Sequence, residues 1–114
     1  MKHMKFYISL PIGGYESTVR ERYEDAKKRI LDEYPGADVS GPVNISKFDS
    51  TGLTVERDHE WSWYIGEDIK ELLSCTHIYM CQGYPYSKGC CTELAVAKVN
   101  GIIPKYHPFA IHSL

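Results

Sequence analysis

The chain has 114 residues, 43% of them apolar and 25% charged, with a net charge of −2. That length fits one compact domain spanning residues 1–114, large enough to bury a core without disulfides or a structural metal. The near-neutral charge argues against a binder of nucleic-acid polymers, which carries a basic face, and no apolar run approaches the ~18 residues of a membrane span.

The start, MKHMKFYISL, turns polar too soon at PIGGYES to be a secretory signal, so a cytoplasmic location is expected. Lys5 to Leu10 is a short apolar run that reads as a buried strand, ended by Pro11 and the glycines Gly13 and Gly14. From Glu16 the spacing becomes helical, with Val19, Tyr23, Ala26, Ile30 and Leu31 on one face. Glu16 or Ser17 is placed to cap this helix, and Pro35-Gly36 ends it. Ala37 to Ser40 forms a second strand, closed by Gly41-Pro42.

Residues 44–57 (NISKFDSTGLTVER) carry turn and polar residues throughout and read as a long loop, of the kind that often has a function. A second helix is expected from Asp58 to Leu73, with Trp61, Tyr64, Ile65, Ile69, Leu72 and Leu73 on one face. Thr76 to Cys81 is a third strand, and residues 82–89 form a loop with two tyrosines. The third helix, Cys90 to Val99, is apolar nearly all round and is expected to be sandwiched. Ile102-Ile103 begins a last strand that Pro104 should stop, and the tail HPFAIHSL is free to add an edge strand or cross to a partner.

Strands alternating with helices predict an α/β fold: a three-layer Rossmann-like or flavodoxin-like sandwich, with four or five mostly parallel strands. Ligands of such sheets bind beyond the carboxyl ends of the strands, at the switch point in strand order. That rule selects the loops 11–15, 41–57 and 82–89. Glu93 lies early in the helix leaving the last of these, in the stretch SKGCCTELAVAK, where almost every neighbour is small or apolar. A carboxylate in such surroundings near a helix N-terminus has the setting of a tuned acid; the competing expectation is a solvated glutamate. Asp68 sits one turn from the apolar positions Tyr64 and Leu72, although Glu67 and Glu71 beside it fit an ordinary surface acid. Tyr7, Trp61 and Trp63, judged alone, are packing residues. The four cysteines form no C-x-x-C pair and the five histidines are scattered, so buried, reduced thiols and no metal or cofactor are expected.

In order, the chain carries KFYISLPIGG, GPVN, WSWYIGEDIKELLSC, IYMCQGYPYSKGCCTELAVA and GIIP. This arrangement resembles the nucleoside 2-deoxyribosyltransferase superfamily over nearly the whole chain, in particular its small branch common in phage and prophage genomes. The resemblance implies N-glycosidic bond cleavage, by hydrolysis or deoxyribosyl transfer, on a nucleoside or nucleoside 5′-monophosphate. Glu93 would be the nucleophile, Asp68 the group that helps protonate the departing base, and Tyr7 the residue that orients Glu93. Ser87 would contact phosphate, within a substrate-binding set of Ser9, Pro11, Gly13, Gly14, Asn44, Gly83, Ser87 and Gly89. Hydrolysis is the expected outcome over transfer because the chain is short.

Two positions depart from the superfamily pattern: Ile12 replaces the arginine of the monophosphate hydrolases, and Thr76 replaces the strand-three aspartate. The alternative expectation is therefore a non-catalytic nucleotide-binding sensor or sequestering module. A plain interaction domain is suggested only by Trp61, Trp63, Tyr84 and Tyr86. The resemblance also implies a homodimer or larger homo-oligomer in which a neighbour completes each site.

Overall fold

The computed structural model describes residues 3–13, 16–43 and 60–111. Four parallel strands, β1 (Lys5–Ser9), β2 (Asp38–Ser40), β3 (His77–Met80) and β4 (Ile103–Tyr106), form one sheet in the order β2-β1-β3-β4. The helices α1 (Val19–Glu33), α2 (Trp61–Leu73) and α3 (Lys88–Val99) connect them. The result is the expected three-layer Rossmann-like sandwich, with four strands among the described residues.

β1 is central, and its alternation builds both cores. Phe6, Ile8 and Leu10 point to one face, where Val19, Tyr23, Ala26 and Ile30 of α1 cover them. Tyr7 points to the other face, against Leu72 at the end of α2, Cys90 and Ala97 of α3, and Ile78 and Met80 of β3. A strand covered on both sides cannot afford alternating polar residues, which is why KFYIS reads as a continuous apolar run. The exception, Ser9, is fully buried on the α2/α3 side and therefore needs a partner.

Local chemistry sets where the helices begin and end. A 3₁₀ turn, Glu16–Thr18, precedes α1, whose N-cap is Thr18 rather than Glu16 or Ser17, and whose N-cap side chain makes no capping bond. Gly36, at φ +89°, supplies the left-handed step after α1 that the Pro35-Gly36 signal predicts. α2 begins at Trp61 with Glu60 as N-cap; the expected start at Asp58, and the 44–57 loop, fall outside the described residues. α3 begins two residues earlier than its apolar pattern suggests, because the Ser87 hydroxyl accepts the Cys90 N–H at 3.2 Å and caps the helix.

Three expectations are corrected. α3 is not sandwiched: Cys90, Glu93 and Ala97 are buried, whereas Cys91, Ala95 and Val99 face outward. In α2 the buried stripe is Tyr64, Asp68 and Leu72, while Trp61 and Leu73 are exposed. Pro104 does not stop the last strand but lies inside β4, level with Ile78 of β3. Ile103 donates to Thr76 and His107 to Met80, so the N–H groups facing β3 belong to the odd-numbered residues. Pro104 occupies an outward position of an edge strand, where no ladder bond is lost. Beyond β4, Ala110 donates to the His107 carbonyl in a turn, so the described part of the tail adds no strand.

Leu72 is fully buried and Leu73, its neighbour, is half exposed. Leu72→Ala is expected to lower the unfolding free energy by about 2–5 kcal/mol, the range for removing a buried leucine side chain. Leu73→Ala should stay within about 0.5 kcal/mol of the parent. Urea unfolding of the two variants checks the assignment of the buried face; equal losses would contradict it.

Candidate functional site

The site lies at the carboxyl ends of β1 and β3, where neighbouring strands lead their chains to opposite faces of the sheet. After β3, Gly83 at φ +85° turns the chain into a 3₁₀ segment, Tyr84–Tyr86, which delivers Ser87 to the start of α3. Cys90, Glu93 and Ala97 follow at helical spacing on the face toward the sheet. Glu93 thereby arrives over β1 and is only 4% exposed.

β1 meets it with two hydroxyls. Tyr7 Oη donates to Glu93 Oε2 at 2.5 Å, and Ser9 Oγ donates to Oε1 at 2.7 Å. Tyr7 and Ser9 share a side of the strand because they are two residues apart, so a single extended segment supplies a donor to each carboxylate oxygen. α2 contributes the second acid. Asp68 is 8% exposed, and its Oδ1 accepts the Val43 N–H, just past β2, at 2.8 Å.

Both acids open onto a cleft of about 280 Å³. Pro11, Ile12 and Gly13 form one side of it, Trp61 and Tyr64 of α2 another, and Ser87 to Cys90 the third. The Lys88 ammonium, at the cleft, sits 4.3 Å from the centre of the Trp61 ring. It is the only basic side chain among the described lining residues.

Burial shapes the protonation of this group. It pushes the Glu93 carboxyl up to about 7, against the pull of the Tyr7 and Ser9 hydrogen bonds, and the Asp68 charge adds to the rise. Burial likewise lifts Asp68 to about 6, opposed by the Val43 N–H and assisted by Glu67. The Tyr7 hydroxyl is raised well above its ordinary value, first by burial and then by the charges of Glu93 and Asp68, so it remains a donor. Cys90, pushed to about 12 chiefly by burial, is a neutral thiol rather than a nucleophile. Near pH 6 to 7 the two acids therefore carry one proton in all, resting mainly on Glu93, whose carboxyl is fixed in orientation by both hydroxyls. Among the described residues no three of His, Cys, Asp or Glu gather as a metal site requires.

The chain matches, over residues 4–106, the family described as a domain of unknown function, DUF4406. It belongs to that family. No curated protein and no solved structure matches it.

In this DUF4406 chain, the residues singled out by sequence fall into four groups. Asp68, Glu93, Pro11, Gly13, Ser87 and Gly89 line the cleft. Tyr7 and Ser9 lie behind Glu93 and are fully buried, so Ser9 meets the carboxylate rather than the open space. Gly83 stays outside the lining; a Cβ there would meet Pro11 Cγ at 3.6 Å, so it shapes the turn behind the cleft. Gly14 and Asn44 lie outside the described residues. Val43 was not among the residues singled out. The Val43 contact uses backbone, which no side-chain pattern signals, whereas Lys88 was legible as the only cation within SKGCC.

The two raised acids predict the pH dependence of stability. A carboxyl whose folded pKa exceeds its unfolded value holds more protons in the native state between those two values, so stability falls as pH rises through that window. For Glu93 the window runs from 4.5 to about 7, and for Asp68 from 3.8 to about 6. Each accounts for a loss on the order of 3 kcal/mol, complete above the folded pKa. In urea unfolding from pH 5 to pH 8, Glu93→Gln should flatten the decline and exceed the parent's stability at pH 8. A variant profile parallel to the parent's would remove the assignment to Glu93.

Proposed function

We propose that this chain cleaves the N-glycosidic bond of a nucleoside or nucleoside 5′-monophosphate, with Glu93 as the nucleophile. The observation that carries the reading is the pair of acids on one cleft: Glu93 with both oxygens oriented by hydroxyls, and Asp68 with one oxygen tied to backbone. Its resemblance to the nucleoside 2-deoxyribosyltransferase superfamily supports the same roles.

In the first step Glu93 attacks C1′ of the sugar while the bond to the base breaks. The bonding electrons leave with the base, and the Asp68 proton goes to it. A glycosyl ester on Glu93 results. In the second step Asp68 takes a proton from water, whose oxygen attacks C1′ and releases the ester, restoring both acids. Transfer differs only in that a second base replaces the water. The transition state resembles an oxocarbenium ion, and an anionic Glu93 in a low-dielectric setting stabilises its positive charge far better than it could in water.

The scheme uses the single-proton state with the charge on Glu93 and the proton on Asp68; this is the minor of its two arrangements, because Glu93 titrates above Asp68, and it too peaks between the two titrations, near pH 6 to 7. Base release should therefore trace a bell-shaped pH profile with its maximum there. Incubating the protein with deoxynucleosides and their monophosphates, then separating the free base by chromatography, measures it. Glu93→Gln should lower turnover by more than the roughly 10²–10⁴-fold typical of losing a general acid, while ligand binding survives. Absence of base release from every substrate, with folded protein, contradicts the proposal.

One observation favours a second reading, a nucleotide-binding module without turnover. Ile12 lines the cleft where the monophosphate hydrolases carry an arginine, and Lys88 lies over Trp61. A ligand that raises the melting temperature and is recovered unchanged by mass spectrometry would favour this module over the enzyme.

We place the protein in the cytoplasm as a homodimer or larger assembly; no described helix is long and apolar enough to cross a membrane. Leu73, Val99 and Ile103 are exposed apolar side chains available to such an assembly. Light scattering at micromolar concentration should give at least twice the 13.0 kDa chain mass. A monomer mass removes the assembly.

A further inference from the structure

Ser9 is the one polar side chain on the buried stretch from Phe6 to Leu10 apart from the phenol of Tyr7, and it has no exposed surface. An alanine of nearly the same size would fill that position without the cost of burying a hydroxyl. Its hydroxyl donates to Glu93 Oε1 at 2.7 Å, and the Cys90 thiol interacts with the same hydroxyl. Cys90 and Glu93 are three residues apart on one face of α3, so Ser9 reaches two successive positions of that face.

We infer that Ser9 is a positioning residue: it holds Glu93 as an oriented carboxylate and takes no part in binding substrate. The inference rests on the proposed role of Glu93, and it adds a division of labour between the hydroxyls. Tyr7 holds Oε2 and Ser9 holds Oε1, so neither oxygen is free to swing when a ligand enters the cleft. Ionisable groups face Glu93 from three elements: Tyr7 on β1, Asp68 on α2 and Cys90 on α3. Asp68 disfavours the Glu93 charge, and the Cys90 thiol stays neutral, so the two hydroxyls are what oppose desolvation. Lys88 lines the same cleft, but its ammonium lies over Trp61. Because Ser9 sits behind Glu93 and outside the cleft lining, removing it changes the carboxylate without changing the surface a ligand meets.

The test is a direct titration of the Glu93 side-chain carboxyl by carbon-detected NMR, with Glu93→Gln identifying its resonance. A hydrogen bond to a charged group accounts for about 1–2 pH units of midpoint, so Ser9→Ala should raise the Glu93 midpoint by that amount. Ser9→Cys keeps the volume and offers a weaker donor; it should give a smaller rise in the same direction, and it serves if the alanine variant fails to fold. In kinetics, the alkaline limb of base release, which carries the Glu93 titration because Glu93 titrates above Asp68, should move up with the midpoint. The turnover number should fall about 10–100-fold near pH 6.5, with KM within about twofold of the parent.

An unchanged midpoint in a folded Ser9 variant overturns the inference. So does a large rise in KM with an unchanged pH profile, which would make Ser9 a substrate contact. The titration needs no substrate. If the parent releases no base, the proposed activity fails while the midpoint still decides Ser9; if base is released and the midpoint does not move, only Ser9 fails.

Discussion

The carboxyl of Glu93, enclosed between α3 and β1, is the constraint around which the rest is arranged. An ionisable group in that position is costly unless each of its oxygens has a partner, and β1 provides both partners from one side of one strand. That requirement explains why a strand buried from Phe6 to Ser9 carries a serine and a tyrosine at alternate positions. It also explains why α3 turns Cys90, Glu93 and Ala97 toward the sheet, leaving Val99 largely in water. A solvated glutamate would have let the more apolar faces of α3 pack instead.

The topology turns this local arrangement into a site. With strand order β2-β1-β3-β4, the chain leaves β1 toward α1 on one face and leaves β3 toward α3 on the other, which opens a crevice above the two strands. α2 packs beside α3 and brings Asp68 to the same opening. Three segments far apart in sequence thus build the site: α2 and α3 each bring one acid to the cleft, and β1 sets a hydroxyl pair behind Glu93. The two acids differ in what holds them: Glu93 is fixed by side-chain hydroxyls, and Asp68 by a peptide N–H just past β2. Their environments push both upward, with burial the largest cause in each.

Much of the architecture was legible because it rests on periodicity. KFYIS, the 19-23-26-30 stripe of α1 and β3, with Gly83 and Pro85 after it, are each legible from spacing and turn residues alone. The elements that departed from expectation did so where a single side chain outweighs the pattern. The Ser87 cap moved the start of α3, and an edge position made Pro104 acceptable inside β4. Asp68 was ambiguous in sequence because its neighbours Glu67 and Glu71 are acids, and only the packing of α2 puts it on the buried stripe with Tyr64 and Leu72. Glu93 stood out because its neighbours are apolar. Ser9 carried no signal beyond being polar inside a buried strand, since its value comes from what lies opposite it in space.

The proline of β4 also governs how this sheet ends. Along that strand the outward-facing backbone positions are Pro104 and Tyr106, and Pro104 has no N–H to offer. A strand from another molecule laid against this edge would meet no amide donor at Pro104, which interrupts any regular ladder along β4. Among the described residues, the β4 edge is thereby unsuited to continuous β-pairing, although the strand carries the exposed apolar Ile103. Growth of the sheet across the β4 edge is opposed by one residue that costs the fold no hydrogen bond.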